Sequence, residues 1–242
     1  MNATEQLNEK LEKTVTSYPD GTQRIDSKIK GLAFFPGGDG LFTKDDTNHE
    51  KAAFPIGGIM VLGQDFDSKN SYEASLKQNF ESRIKNKTWV NLLQILKATN
   101  IDPEECFYTN AIMGVRTTGK STGRSPGFNC DTFISQCRKF LIEQIRIQKP
   151  KLIITLGIKV PSFLSAFSNE LAALSEVNSW KKLDEKGLHI FKQINIGDVK
   201  TNVVFITHPS LYHSNVKRRF RNSTPDLNGK ELEKALIKEV LT

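Results

Sequence analysis

Two apolar spacings alternate along this chain. Gly58-Ile59-Met60-Val61-Leu62-Gly63 is a short, unbroken apolar run closed by glycine, which predicts a strand buried on both faces. Cys106-Phe107-Tyr108-Thr109, Leu152-Ile153-Ile154-Thr155-Leu156-Gly157 and Val203-Val204-Phe205-Ile206-Thr207 repeat the pattern and predict three more. Between them the period lengthens. Trp89, Leu92, Leu93 and Leu96 fall at helical spacing. So do Phe133, Cys137, Phe140, Leu141 and Ile145, in a helix that Pro150 ends. A short helix over Asn2 to Val15 carries Leu7, Leu11 and Val15 on one face, and Glu231 to Leu241 predicts a closing helix. Short buried strands alternating with helices predict an α/β fold: three layers, α/β/α, around a mostly parallel four-stranded sheet. Residues 1–56 are expected as a helix-and-loop extension packed on a main domain of residues 57–242. Within that extension, the turn-rich Phe34-Phe35-Pro36-Gly37-Gly38-Asp39-Gly40 is expected at the surface.

Parallel sheets bind ligands beyond the carboxyl ends of their strands. Polar residues stand at three such ends: Gln64-Asp65 after the first, Asn110 after the second, His208-Pro209-Ser210 after the fourth. An Asp there can orient a water, an Asn can read the polar edge of a base, and a His can donate a hydrogen bond to a departing anion. Each also has an ordinary structural role, capping a helix or satisfying a turn.

The formal charge of +7 favours a polyanionic partner without requiring one. Three cysteines without a Cys-x-x-Cys pair argue against a disulfide framework and against a zinc or iron–sulfur site. The polar stretch Met1 to Lys13 lacks the apolar core of a signal peptide, and no stretch nears the roughly 20 apolar residues of a membrane span. A cytoplasmic monomer without cofactor or membrane contact is expected.

Taken in order, the strand-end residues resemble the uracil-DNA glycosylase superfamily. Gly63-Gln64-Asp65 resembles the start of its first motif, His208-Pro209-Ser210 its second, and Phe107-Tyr108-Thr109-Asn110 the strand that presents the base-reading Asn. Cys137 through Gly157 resembles the helix and third strand of related branches, so the resemblance spans roughly Gly57 to Arg221. It departs at Phe66-Asp67, which replaces the Pro-Tyr pair whose Tyr excludes thymine in the most familiar branch.

The resemblance implies a monofunctional glycosylase that flips a base from DNA and hydrolyses its N-glycosidic bond. Asp65 and His208 are the implied catalytic pair, the first positioning water and the second stabilising the base anion. Gln64, Phe66 and Asn110 would bind the base. Phe66, Tyr72 and Phe80 are all candidates for the ring that stacks on it. Leu211 or Tyr212 would wedge into the duplex. Lys217, Arg218, Arg219 and Arg221, with Ser68 and Ser210, would hold phosphates, as would Lys120 and Arg124 more weakly. No Lys stands in a motif position, so no lyase step is expected. Three alternatives stand beside this reading: a glycosylase for hypermodified cytosine in phage DNA, serving defence; a non-catalytic DNA-binding module; and a small-molecule enzyme. The absence of a Gly-x-Gly-x-x-Gly or P-loop counts against the last.

Overall fold

The computed structural model describes residues 2–43, 53–117, 122–221 and 227–242. Its centre is a five-stranded sheet: β1 (Ile59–Gly63), β2 (Cys106–Asn110), β3 (Leu152–Leu156), β4 (Ile190–Ile196) and β5 (Val199–Ile206), in spatial order β2-β1-β3-β5-β4. The first four in that order are parallel, and β4 runs antiparallel at the edge. The chain starts in the middle at β1, moves outward to β2, then crosses to β3. The gap between β1 and β3 is therefore a switch point, where connections leave in opposite directions and a crevice opens.

Alternation along β1 explains the layers. Ile59 and Val61 join a core cluster with Trp89, Leu92 and Leu96 of α3 (Lys87–Ala98) and Leu232, Leu236 and Ile237 of α5 (Gly229–Leu241). Met60 and Leu62 point the other way, onto Phe133, Cys137, Phe140 and Leu141 of α4 (Asp131–Gln148). That helix stops at Lys149, held left-handed at φ 50° ahead of Pro150. The helix α1 (Ala3–Thr14) packs on α4 and buries Leu7 in the same cluster. A shorter helix, α2 (Lys69–Leu76), follows the loop after β1.

Two sequence expectations change. The sheet has five strands, because β4 is an exposed edge strand with a bulge around Gln193 (φ 53°), and a search for short buried runs passes over it. The turn-rich segment around Gly37 to Gly40 is not a surface loop. Phe35 donates its N–H to Tyr108 O and Tyr108 donates to Gly40 O, both at 2.8 Å, so this segment lines the outer edge of β2. Gly40 sits at φ 72°, where a Cβ would come within 2.5 Å of the Phe107 ring, so only glycine passes there.

Candidate active site

Strand register brings the motif residues to one edge. Gly63 pairs with Asn110 across β1 and β2, and Leu156 pairs with Ile206 across β3 and β5. The residues that follow open into a single cavity of about 640 Å³. Gln64, Asp65, Phe66, Asn110 and His208 all line it, so the structure brings together residues that lie up to 144 positions apart. Its far wall comes from Leu32, Ala33 and Phe34 of the N-terminal segment. The Asn110 amide lies over Gly63, where a Cβ would fall 2.4 Å from Asn110 Oδ1. Glycine at the end of β1 therefore makes room for the amide that would read a base.

His208 is fixed by its own loop. The Ser210 backbone N–H donates to Nδ1 at 3.2 Å, and Ser210 Oγ lies 2.8 Å from the same nitrogen. An accepting Nδ1 assigns the proton to Nε2, the other ring nitrogen. Burial lowers the pKa of His208 from the ordinary 6.5, with Asp65 and Asp67 pulling partly the other way. The imidazole is thus a neutral N–H donor. Behind it, Thr207 gives its N–H to Glu233 Oε1 at 2.7 Å and its hydroxyl to Oε2 at 3.1 Å, which pins the strand end from α5.

Asp65 has a partner that the sequence did not announce. Arg116 Nε donates to Asp65 Oδ2 at 2.6 Å and Nη2 to Oδ1 at 3.1 Å, with side chains 4% and 6% exposed. The same guanidinium reaches the carbonyls of Thr122 and Gly123. Gln64 Nε2 also donates to Gly123 O at 3.1 Å, while its buried Oε1 has no partner among the described residues.

The description of the uracil DNA glycosylase superfamily matches residues 58–229. The chain belongs to this superfamily. A search of curated proteins finds no match. Membership of a DNA-glycosylase-type family accords with the strand-end placement of the two motifs. Around them, this glycosylase relative differs from the sequence expectation in several places.

Of the three stacking candidates, Phe66 and Tyr72 line the cavity and meet edge-on at 5.9 Å. Phe80 does not; it packs on Phe42 in the core. Two further rings, Phe34 and Trp89, line the cavity 5.3 Å apart. Lys159, just past β3, also lines it, although it belongs to neither motif.

The proposed DNA-facing set splits. Leu211 is 45% exposed at the cavity rim, but Tyr212 is buried, so of the two wedge candidates only Leu211 reaches solvent. Ser68 is buried and caps α2 by accepting from Ser71 N–H, which removes it from phosphate contact. Ser210 is exposed and sits on His208. Lys217 and Arg218 are exposed. Arg219 is not available to DNA. Its side chain is 0% exposed, bonded to Asp184 at 3.0 and 3.1 Å and to Glu233 at 2.9 Å, and it stacks 4.4 Å over Trp180. Arg221 is half-buried against Glu239, and Arg124 is exposed and donates to Phe128 O. Lys120 lies outside the described residues.

This split has a measurable consequence. A Lys217→Ala/Arg218→Ala double variant is expected to weaken DNA binding uniformly across sequences. It should reduce the slope of log affinity against log salt by about 2, roughly one per phosphate contact. Titrations from low to moderate salt check it, and an unchanged slope would place the DNA elsewhere.

Proposed function

We propose that this protein is a monofunctional DNA glycosylase that flips a base out of DNA and hydrolyses its N-glycosidic bond, leaving an abasic site. One observation carries the reading: a neutral His208 donor and the carboxylates Asp65 and Asp67 line one cavity, together with the Asn110 amide. As the glycosidic bond lengthens, the base gains negative charge and the sugar becomes cationic. A donor on one side and carboxylates on the other match that charge separation. Asn110 reads the flipped base, Gln64 and Phe66 complete its pocket, and Leu211 fills the space it leaves. Uracil or a modified pyrimidine is the proposed substrate.

A second reading within the same chemistry has its own support. A cavity of about 640 Å³ is far larger than one pyrimidine needs, and Ser75, Gln78, Asn86 and Thr88 add polar lining beyond the motif residues. Both features suit a base carrying a bulky hydrophilic group, such as a hypermodified cytosine of phage DNA.

The test is a cleavage assay on labelled oligonucleotides carrying uracil, thymine mismatches, deaminated purines or hypermodified cytosines, with abasic product revealed by alkali. Abasic product from wild type, lost in Asp65→Asn and His208→Ala, is the expected result, and the base that reacts names the substrate. Borohydride trapping is expected to capture no covalent Lys159 adduct. Tight, salt-sensitive binding with no product on any base would leave a DNA-binding module, and turnover indifferent to DNA would leave a small-molecule enzyme.

A further inference from the structure

The loop after β1 carries two carboxylates, and they are occupied in different ways. Asp65 is engaged through both oxygens. Its Oδ2 accepts from Arg116 Nε at 2.6 Å and its Oδ1 from Arg116 Nη2 at 3.1 Å, with the Asp67 N–H at 3.4 Å and Gln64 Nε2 at 3.5 Å also on Oδ1. The Arg116 fork fixes it through both oxygens, the geometry in which a guanidinium holds a carboxylate most firmly. A side chain so placed serves as a fixed anion and as an anchor for the loop.

Asp67 lines the same cavity and has no cationic partner among the described residues. Its Oδ1 accepts the Ser68 N–H at 2.5 Å, and Oδ2 has no partner among the described residues. Its backbone stands at φ 73°, a region that a residue with a side chain occupies at a cost, though Asp and Asn tolerate it better than most. The surroundings impose it: Arg116 N–H donates to Asp67 O at 2.9 Å, and Ser68 is tied into the start of α2. Held strain beside a cavity is a mark of positioning. Arg116 thus contributes its guanidinium to one carboxylate and its backbone to the presentation of the other.

We propose that Asp67, not Asp65, accepts the proton of the attacking water, with Arg116 as the positioning residue that assigns the two roles. The inference rests on the glycosylase reading above. In the step, the bond between the sugar C1′ and the base nitrogen breaks and its electron pair stays with the base. The water oxygen bonds to C1′, and one water proton passes to the Asp67 carboxylate, which later releases it to solvent. The base anion is held by His208 Nε2–H and takes its proton from solvent after release.

The experiment uses the full chain under single-turnover conditions, with protein saturating over duplexes carrying uracil or glucosylated hydroxymethylcytosine. Asp67→Asn preserves shape and tolerates the same backbone, so folding is expected to survive and is checked by thermal melting. The expected result is a rate about 100- to 1,000-fold below wild type, with affinity for the duplex unchanged within about threefold. Asp67→Gly also suits φ 73° and opens space at the carboxylate. Formate is expected to restore its rate by about tenfold over an equal concentration of chloride, which a merely structural role would not allow. An Asp67→Asn rate within about threefold of wild type would overturn the proposal while leaving the glycosylase reading intact. So would a slow Asp67→Gly that formate fails to restore. If wild type releases no base from any oligonucleotide of the panel above and His208→Ala behaves identically, the glycosylase reading itself fails, and the proposal with it.

Discussion

His208→Ala is expected to slow base release about 100- to 1,000-fold while leaving DNA affinity within about threefold of wild type. The magnitude follows from what one preorganised donor contributes to a developing oxyanion, about 3–4 kcal/mol. The donor is preorganised because Ser210 N–H occupies Nδ1 and the strand end behind it is fastened to Glu233. Ser210→Ala should cost less, since it removes the hydroxyl but keeps the backbone N–H. The lowered pKa of His208 sets the pH behaviour. Above 6.5 the ring stays neutral, so the rate should be flat with respect to this group. As pH falls below its folded-state pKa, Nδ1 gains a proton, the Ser210 N–H loses its acceptor and the ring orientation is lost. Single-turnover rates across pH measure both effects. A His208→Ala rate close to wild type would remove the anion-stabilising role.

Arg219→Ala carries the second large effect, and it falls on stability rather than on DNA binding. Its guanidinium is fully enclosed between Asp184, Glu233 and the Trp180 ring. Removing one partner of a buried ion pair leaves the others uncompensated and costs about 3–5 kcal/mol. For a chain of this size that is a fall in melting temperature on the order of 10 °C. Arg218→Ala, one residue earlier and exposed, should change melting by little. The salt dependence should respond in the opposite sense: unchanged by Arg219→Ala and shallower for Arg218→Ala. An Arg219→Ala protein that melts like wild type and binds DNA with a shallower salt slope would return Arg219 to the phosphate-binding set.

These two predictions separate what the sequence could disclose from what it could not. The parallel strands were legible because each is a short apolar run, and their carboxyl ends located Gln64, Asp65, Asn110 and His208 in one cavity. The edge strand β4 was not legible, since half of it faces solvent and a bulge breaks its alternation. Nothing local in the sequence marks Arg116, because its partner lies 51 positions away. Arg219 reads with its cationic neighbours for the same reason in reverse. A run of charge reads as one exposed face, yet Asp184 and Glu233, 35 and 14 positions distant, draw a single member inside. Ser68 and Tyr212 followed the same course: residue types suited to DNA contact, placed by packing on the inner side of their turns.

The cavity wall formed by Leu32, Ala33 and Phe34 lies upstream of the family match, which begins at residue 58. Part of the chamber's lining is thus written outside the stretch that carries the strand-end motifs. Under the proposed glycosylase reading, change upstream of residue 58 is expected to alter which base fits while leaving the strand-end residues in place. Trimming the chain to its family-matched portion would not produce a minimal enzyme, because one side of the chamber would open to water and the outer edge of β2 would be left unpaired. The same separation makes residues 29–34 the natural place to diversify when a glycosylase of altered base preference is sought, with the strand-end residues held constant.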